Sequence, residues 1–87
     1  MQVFMVERSL KGLPMDQLAA AQQRAISTAK EMSASGTPIK YLRSTFVPST
    51  GQCMCLFESN DAESVKALNQ KAQIPFNSVT EALDLPG

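Results

Sequence analysis

The chain has 87 residues with eight basic and eight acidic side chains, and it contains neither histidine nor tryptophan. Its length predicts one domain over residues 1–87, and its zero net charge argues against a nucleic-acid-binding or membrane-surface protein, which needs a basic face. Without histidine the chain lacks the commonest general base and the commonest zinc ligand, which excludes a histidine-dependent triad and a zinc-hydroxide mechanism.

The first third of the chain predicts a strand followed by a long helix. Gln2–Arg8 is apolar and rich in strand-forming residues, and Gly12 and Pro14 interrupt it. From Met15 to Ser35 the apolar residues recur at steps of three and four, which is typical of an amphipathic helix, and Gly36 suits its C-terminal end. The apolar stripe consists of Leu18, Ala21, Ala25, Ala29 and Met32.

The middle of the chain predicts a β-hairpin. Ile39–Val47 and Gln52–Glu58 are two runs of β-branched, aromatic and apolar residues of similar length. The short segment between them, Pro48–Gly51, is composed of turn-forming residues.

The last third predicts a second helix and a final strand. Asn60 and Glu63 have the spacing of a capping box that opens a helix over Asp61–Ala72. Pro75 ends this helix, and Phe76–Leu85 is expected to be the last strand.

The resulting order, βαββαβ, predicts a ferredoxin-like α+β fold. Two helical crossovers around a hairpin give a four-stranded antiparallel sheet of spatial order 4-1-3-2, with both helices on one face. The composition is 44% apolar, and strands one and three have apolar residues on both sides, so the open face is expected to be covered. We expect a homodimer in which two sheets pack face to face as a dimeric α+β barrel.

The two cysteines are the first candidate metal ligands. Cys53 and Cys55 are two residues apart on a strand, so both thiols point to one face, and Glu58 lies on the same strand. Such a set is a candidate site for a metal ion, although free cysteines on a central strand also serve as small buried apolar residues. Because nothing indicates a disulfide framework, a reducing cytoplasm is the expected location.

Four further residues are candidate ligand-binding groups. Glu7 and Glu81 each interrupt an apolar alternation, and the strand order brings the end of strand one near the start of strand four, so the two carboxylates are expected to face each other. They are otherwise solvated or paired with Arg8, Arg43 or Lys40. Arg43 and Tyr41, predicted on one face of strand two, are suited to orient an anionic ligand, unless Arg43 only protects a sheet edge.

Several spaced blocks of the sequence resemble a known family. They are Phe4-x-Val6-Glu7-Arg8, Tyr41–Pro48, Gly51-x-Cys53-x-Cys55–Glu58 and Pro75-Phe76 with the closing Glu81-Ala82. Together they are similar to a bacterial small-domain family of unknown function (DUF4242-like) that includes an actinobacterial nickel-binding protein. The resemblance implies the same fold, a dimeric barrel and a divalent metal such as nickel, but the histidine ligands that it implies are absent from this chain.

The sequence therefore favours a small cytoplasmic homodimeric binding module that holds a small ligand or a metal ion in a pocket between sheet and helices or inside the barrel. The alternative is a cofactor-free dimeric-barrel enzyme, an isomerase or an oxygenase. Its base would be Glu7 or Glu81, and Arg43 would hold an anionic substrate.

Overall fold

A computed structural model describes all 87 residues and has the predicted element order. The six elements are β1 (Gln2–Ser9), α1 (Met15–Ala34), β2 (Ile39–Val47), β3 (Gln52–Ser59), α2 (Ala62–Lys71) and β4 (Ser78–Ala82). The four strands form one sheet in the order β2-β3-β1-β4, and all neighbouring pairs are antiparallel. The predicted ferredoxin-like α+β fold is confirmed.

The sheet has one face covered by the helices, called here the helix face, and one face that carries no helix, called the open face. On the two inner strands, buried residues alternate with half-buried ones. Phe4 and Val6 of β1 lie beside Phe57 and Cys55 of β3, and all four belong to the core on the helix face. The open face presents their half-buried neighbours, which are Val3, Met5, Met54 and Leu56.

Alanine residues let α1 lie close to the sheet. Ala21, Ala25 and Ala29, from the predicted stripe, are buried in the core, and α1 packs mainly on β2. The second helix adds Val65 and Leu68, both fully buried. Neither helix combines the length and the apolar character that a membrane crossing requires.

The start of α2 differs from the predicted capping box. Asp61, and not Asn60, is the N-cap residue, and its carboxylate accepts a hydrogen bond from the Ser64 backbone N–H at 2.7 Å. This bond lowers the pKa of Asp61, because it stabilises the charged carboxylate. Glu63 instead faces solvent and pairs with Lys66 at 3.3 Å. Asparagine and aspartate are equally good caps, so adjacent candidates are hard to separate in the sequence.

The last strand is shorter than predicted. It ends at Ala82, and beyond it the side chains of Leu83 and Leu85 are 83% and 80% exposed. Asp84 forms an ion pair with Arg43, which lies on the edge strand β2 at the opposite side of the sheet. Three strand spacings of roughly 4.8 Å separate the two edges, so the residues after β4 turn across the open face.

Candidate functional site

A cleft lies between the N-terminal half of α1 and the strands β2 and β3. Its volume is about 230 Å³, and eleven of its fourteen lining residues are hydrophobic. Leu10, Leu18 and Phe46 are among its apolar lining, and Met15, at the start of α1, also lines it. A mostly apolar concavity with few polar groups is the usual character of a small-molecule site.

The charged group of this cleft is Arg8. The alternation of β1 places Arg8 on the helix face with Phe4 and Val6, and the residue is only 2% exposed. Its Nη2 donates to Asn69 Oδ1 at 2.8 Å and its Nη1 donates to the Pro75 carbonyl at 3.2 Å. Its Nε is buried without a hydrogen-bond partner.

No carboxylate neutralises Arg8. The two ion pairs of the chain are Arg43–Asp84 and Lys66–Glu63, both away from the cleft. Asn69 is itself fully buried and is fixed by the bond from its Nδ2 to the Val65 carbonyl at 2.8 Å. Neutral groups therefore hold a buried positive charge in place, and the charge has no protein counterion.

The two cysteines lie together in the same cleft. Cys53 and Cys55 are buried free thiols whose Sγ atoms are 3.9 Å apart, so they share one face, as predicted. The Ser44 hydroxyl donates to Cys55 Sγ at 2.9 Å. Burial raises the pKa of Cys53 to about 11; the neighbouring Cys55 also raises it and the charge of Arg8 lowers it.

Glu58 is not part of this thiol pair. It lies between Val3 of β1 and Lys40 of β2 and points to the open face, because it is an odd number of residues from each cysteine. The predicted set of Cys53, Cys55 and Glu58 is therefore wrong as a single site. No group of three or more cysteine, aspartate or glutamate side chains in the chain is placed to hold a metal ion.

A β-bulge separates the predicted pair on β2. Tyr41 lies opposite Phe57 and Arg43 opposite Leu56, with the register shift between them. Tyr41 therefore faces the helices, where its ring meets Phe57 edge to face at 5.5 Å, whereas Arg43 faces the open side. An extra residue in one strand reverses the side-chain alternation, so the prediction that they share a face is wrong.

Tyr41 is the predicted ligand-binding residue that does line the cleft. Its hydroxyl is hydrogen-bonded to the Ser44 hydroxyl and accepts a bond from Gln22 Nε2 at 3.1 Å. These three side chains add a polar strip to an otherwise apolar wall.

The two glutamates do not meet. Glu7 lies opposite Ser78 in the ladder and faces the open side. Glu81 lies opposite Phe4, which faces the helices, so Glu81 is on the helix face. An offset of three residues along the antiparallel pair puts the carboxylates on opposite sides of the sheet, so the prediction that they face each other is wrong. Glu7 and Glu81 cannot share a proton or a ligand within one chain.

Arg8 is a functional candidate that the sequence analysis misses, because it predicts for this residue only a pairing with a glutamate. The signal was present, because Arg8 continues the buried series Phe4 and Val6 at the same two-residue spacing. A charged residue that the strand alternation places on the buried face is an exception to the usual burial of apolar residues, and this exception marks Arg8 as a functional candidate.

A comparison with solved structures finds a protein of the same fold. The crystal structure of SCO4226 from Streptomyces coelicolor A3(2) has a TM-score of 0.80 to this chain, with 25% sequence identity, and the match covers 95% of this chain and 99% of that one. No curated protein matches the chain in sequence. Residues 4–82 match the family described as nickel responsive protein SCO4226-like. The resemblance to a small-domain family with a nickel-related member is thus confirmed, while nickel binding and the DUF4242-like label stay predictions. The chain belongs to the SCO4226-like family of nickel-responsive proteins.

Proposed function

We propose that this protein is a small binding module whose cleft holds a compact, largely apolar molecule that carries a carboxylate. The buried charge of Arg8 is the observation that supports this proposal. A buried ion without a counterion is destabilising, whereas a charged pair with good hydrogen bonds is tolerated. The carboxylate of a ligand would supply the missing counterion, and guanidinium groups bind carboxylates through two parallel hydrogen bonds.

The size and lining of the cleft narrow the class of ligand. Its volume of about 230 Å³ is slightly below that of typical ligand pockets, which measure roughly 300–1,000 Å³. A ligand with a single aromatic ring or a short branched chain matches that volume. The polar strip of Tyr41, Ser44 and Gln22 offers hydrogen bonds to one uncharged polar substituent on the ligand.

Because the family is described as nickel-responsive, the side chains of this chain can be compared with the ligands that nickel prefers. Nickel prefers nitrogen and thiolate donors, and a divalent ion needs several of them around it. This chain has no histidine, and its two thiols have no third cysteine or carboxylate beside them. The residues of a single chain therefore do not fit a nickel site.

Binding is favoured over catalysis. The enzymatic alternative uses Glu7 or Glu81 as the base and Arg43 to hold an anionic substrate. Glu7 and Glu81 lie on opposite faces, and Arg43 is paired with Asp84 on the open face. No carboxylate lines the cleft, so no candidate general base of that kind faces its ligand.

We also propose that the protein works as a homodimer through its open face. Val3, Met5, Met54 and Leu56 form an apolar band along its two inner strands and are half-buried in a single chain. A second sheet packed on this band would cover it. Light scattering should give twice the chain mass of 9.4 kDa, and Leu56→Lys should return the mass of one chain without unfolding it. A wild-type mass of a single chain at micromolar concentration would contradict the dimer.

Benzoate and its uncharged analogue benzamide test the ligand class. Calorimetry and two-dimensional NMR titrations should show benzoate shifting the resonances of cleft residues, with benzamide binding at least about tenfold more weakly, since a hydrogen bond to a charged group contributes roughly 1.5–3 kcal/mol. Arg8→Met should remove this preference. Arg43→Met is the matched control, because it deletes an arginine from the other face.

Three results would contradict the proposal. One is equal binding of benzoate and benzamide. Another is an Arg8→Met variant that is folded by circular dichroism and still prefers the carboxylate. The third is a set of aromatic and branched aliphatic monocarboxylates of which none shifts a cleft resonance.

A further inference from the structure

We propose that Cys53 and Cys55 form a binding site for a soft monovalent metal ion, Cu(I), at the base of the cleft. Both thiols are buried, both line the cleft, and their Sγ atoms approach within 3.9 Å without a disulfide bond. The inference does not depend on the carboxylate ligand proposed above, because the donor atoms are the two thiols; the two proposals share only the uncompensated charge of Arg8 in the same cleft.

The distance between the sulfurs suits one shared ion. Two thiolates each about 2.3 Å from an ion, with the sulfurs 3.9 Å apart as here, subtend an angle of roughly 115° at that ion. This angle lies between the tetrahedral and the trigonal values. Both side chains extend from one strand to one face, so the backbone of β3 already holds the two donors in position.

The donor set selects a soft ion of low charge. Thiolates favour Cu(I), and the cleft offers neither carboxylate nor histidine to a harder divalent ion. Cu(I) binds three sulfur donors in a trigonal arrangement, to which the angle of roughly 115° corresponds, whereas a divalent ion would need further ligands. The thioether of Met15, which lines the same cleft, is the candidate third donor.

The buried arginine completes the charge balance. Binding of one Cu(I) to two thiols releases two protons and leaves a bis-thiolate complex with a net charge of minus one. The guanidinium of Arg8 lines the same cleft and has no carboxylate partner. The complex would therefore lie in the same cleft as a compensating positive charge.

A competition titration under anaerobic conditions tests the site. Reduced protein should withdraw one Cu(I) per chain from a coloured chelator, and Ag(I), which is not subject to oxidation, should bind at the same stoichiometry. Cys53→Ser and Cys55→Ser should each lower the apparent affinity by at least a hundredfold. Met54→Leu is the matched control, because it changes a sulfur residue on the same strand that faces the open side.

X-ray absorption of the wild-type complex gives a readout that does not depend on any variant folding. The first coordination shell should contain two or three sulfur atoms, and Met15→Leu should reduce a three-sulfur shell to two. A shell dominated by nitrogen or oxygen would overturn the proposal. A double Cys53→Ser, Cys55→Ser variant that binds Cu(I) as the wild type does, or a wild-type protein that takes no Cu(I) from the chelator, would overturn it as well.

Discussion

The two faces of the sheet carry polar residues of the same types with different consequences. On the open face, Arg43 has a carboxylate partner in Asp84, and Glu58 lies beside Lys40. On the helix face, Arg8 is buried with neutral partners only, in the cleft that also holds the two thiols. Arg43 on the open face is therefore paired in the ordinary way, whereas Arg8 on the helix face has no carboxylate partner within the chain.

This difference shows that the type of a residue is a poor guide to its role until its face is known. Arg8 and Arg43 have the same side chain and both lie on strands of one sheet. An exposed pair such as Arg43–Asp84 contributes little to stability, about 0–1 kcal/mol. A buried, uncompensated guanidinium requires an explanation, and the ligand proposed for the cleft that it lines would provide one.

The largest expected effect is at Gly51, whose turn sets the pairing of β2 with β3 and hence which residues face the cleft. Gly51 has φ +78°, and a Cβ there would lie 2.4 Å from Lys11 Cα. Gly51→Ala should lower the free energy of unfolding by about 2–5 kcal/mol, from left-handed strain plus a clash with backbone. Urea denaturation measures this loss.

Gly12→Ala is the control for that substitution. Gly12 has a similar φ of +82°, but a Cβ added there would meet nothing within 4 Å, so only the strain of about 1–2 kcal/mol applies. Equal losses for the two variants would show that the contact between Gly51 and Lys11 does not matter.

A second prediction compares the supports of the two arginines. Asn69→Leu removes the acceptor of Arg8 Nη2 and leaves a buried charged donor unpaired, which should cost about 2–4 kcal/mol. Asp84→Asn, which weakens the ion pair of Arg43, should cost less than about 1 kcal/mol. Thermal and urea unfolding of both variants provide the comparison.

Adding Arg8→Met to Asn69→Leu should restore much of the lost stability, because the unpaired charge is then gone. Additive effects of Arg8→Met and Asn69→Leu on the free energy of unfolding would contradict the proposed difference between the two faces. A cost of Asn69→Leu no larger than that of Asp84→Asn would contradict it as well.

The smallest expected effect concerns alkaline pH. Cys53 has a pKa of about 11 in the folded protein against an ordinary value of 9.0, so the folded state holds this proton more tightly than the unfolded state does. The stability that this provides is complete below about pH 9 and is lost as the pH rises towards 11. Melting temperatures between these pH values should fall more for the wild type than for Cys53→Ser, and parallel curves would contradict the shift.

The elements could be predicted because each depends on local signals. The three- and four-residue spacing of Ala21, Ala25 and Ala29 indicates a helix in any context, and the turn residues before Gln52 indicate a hairpin. The predicted bounds of β4 were too wide for the same local reason. Phe76 and the residues after it have strand-forming character, but pairing with β1 begins only at Ser78 and ends at Ala82.

The candidate site was predicted only where a two-residue spacing was enough. Cys53 and Cys55 share a face because they are two positions apart in a regular strand, and the structure places them so. Tyr41 and Arg43 have the same spacing, but a bulge between them reverses the alternation. Glu7 and Glu81 required the register between two strands, which local sequence does not contain.

The length, neutral charge and missing histidine that limited the function classes at the outset were determined by the sequence alone. So were the element order and, through the two crossovers, the fold. Only the tertiary structure decided which polar residues share the cleft. The reason is physical: element type follows from the periodicity of neighbouring residues, whereas the meeting of Arg8, Asn69 and the thiol pair depends on register and packing between segments that are far apart in the chain.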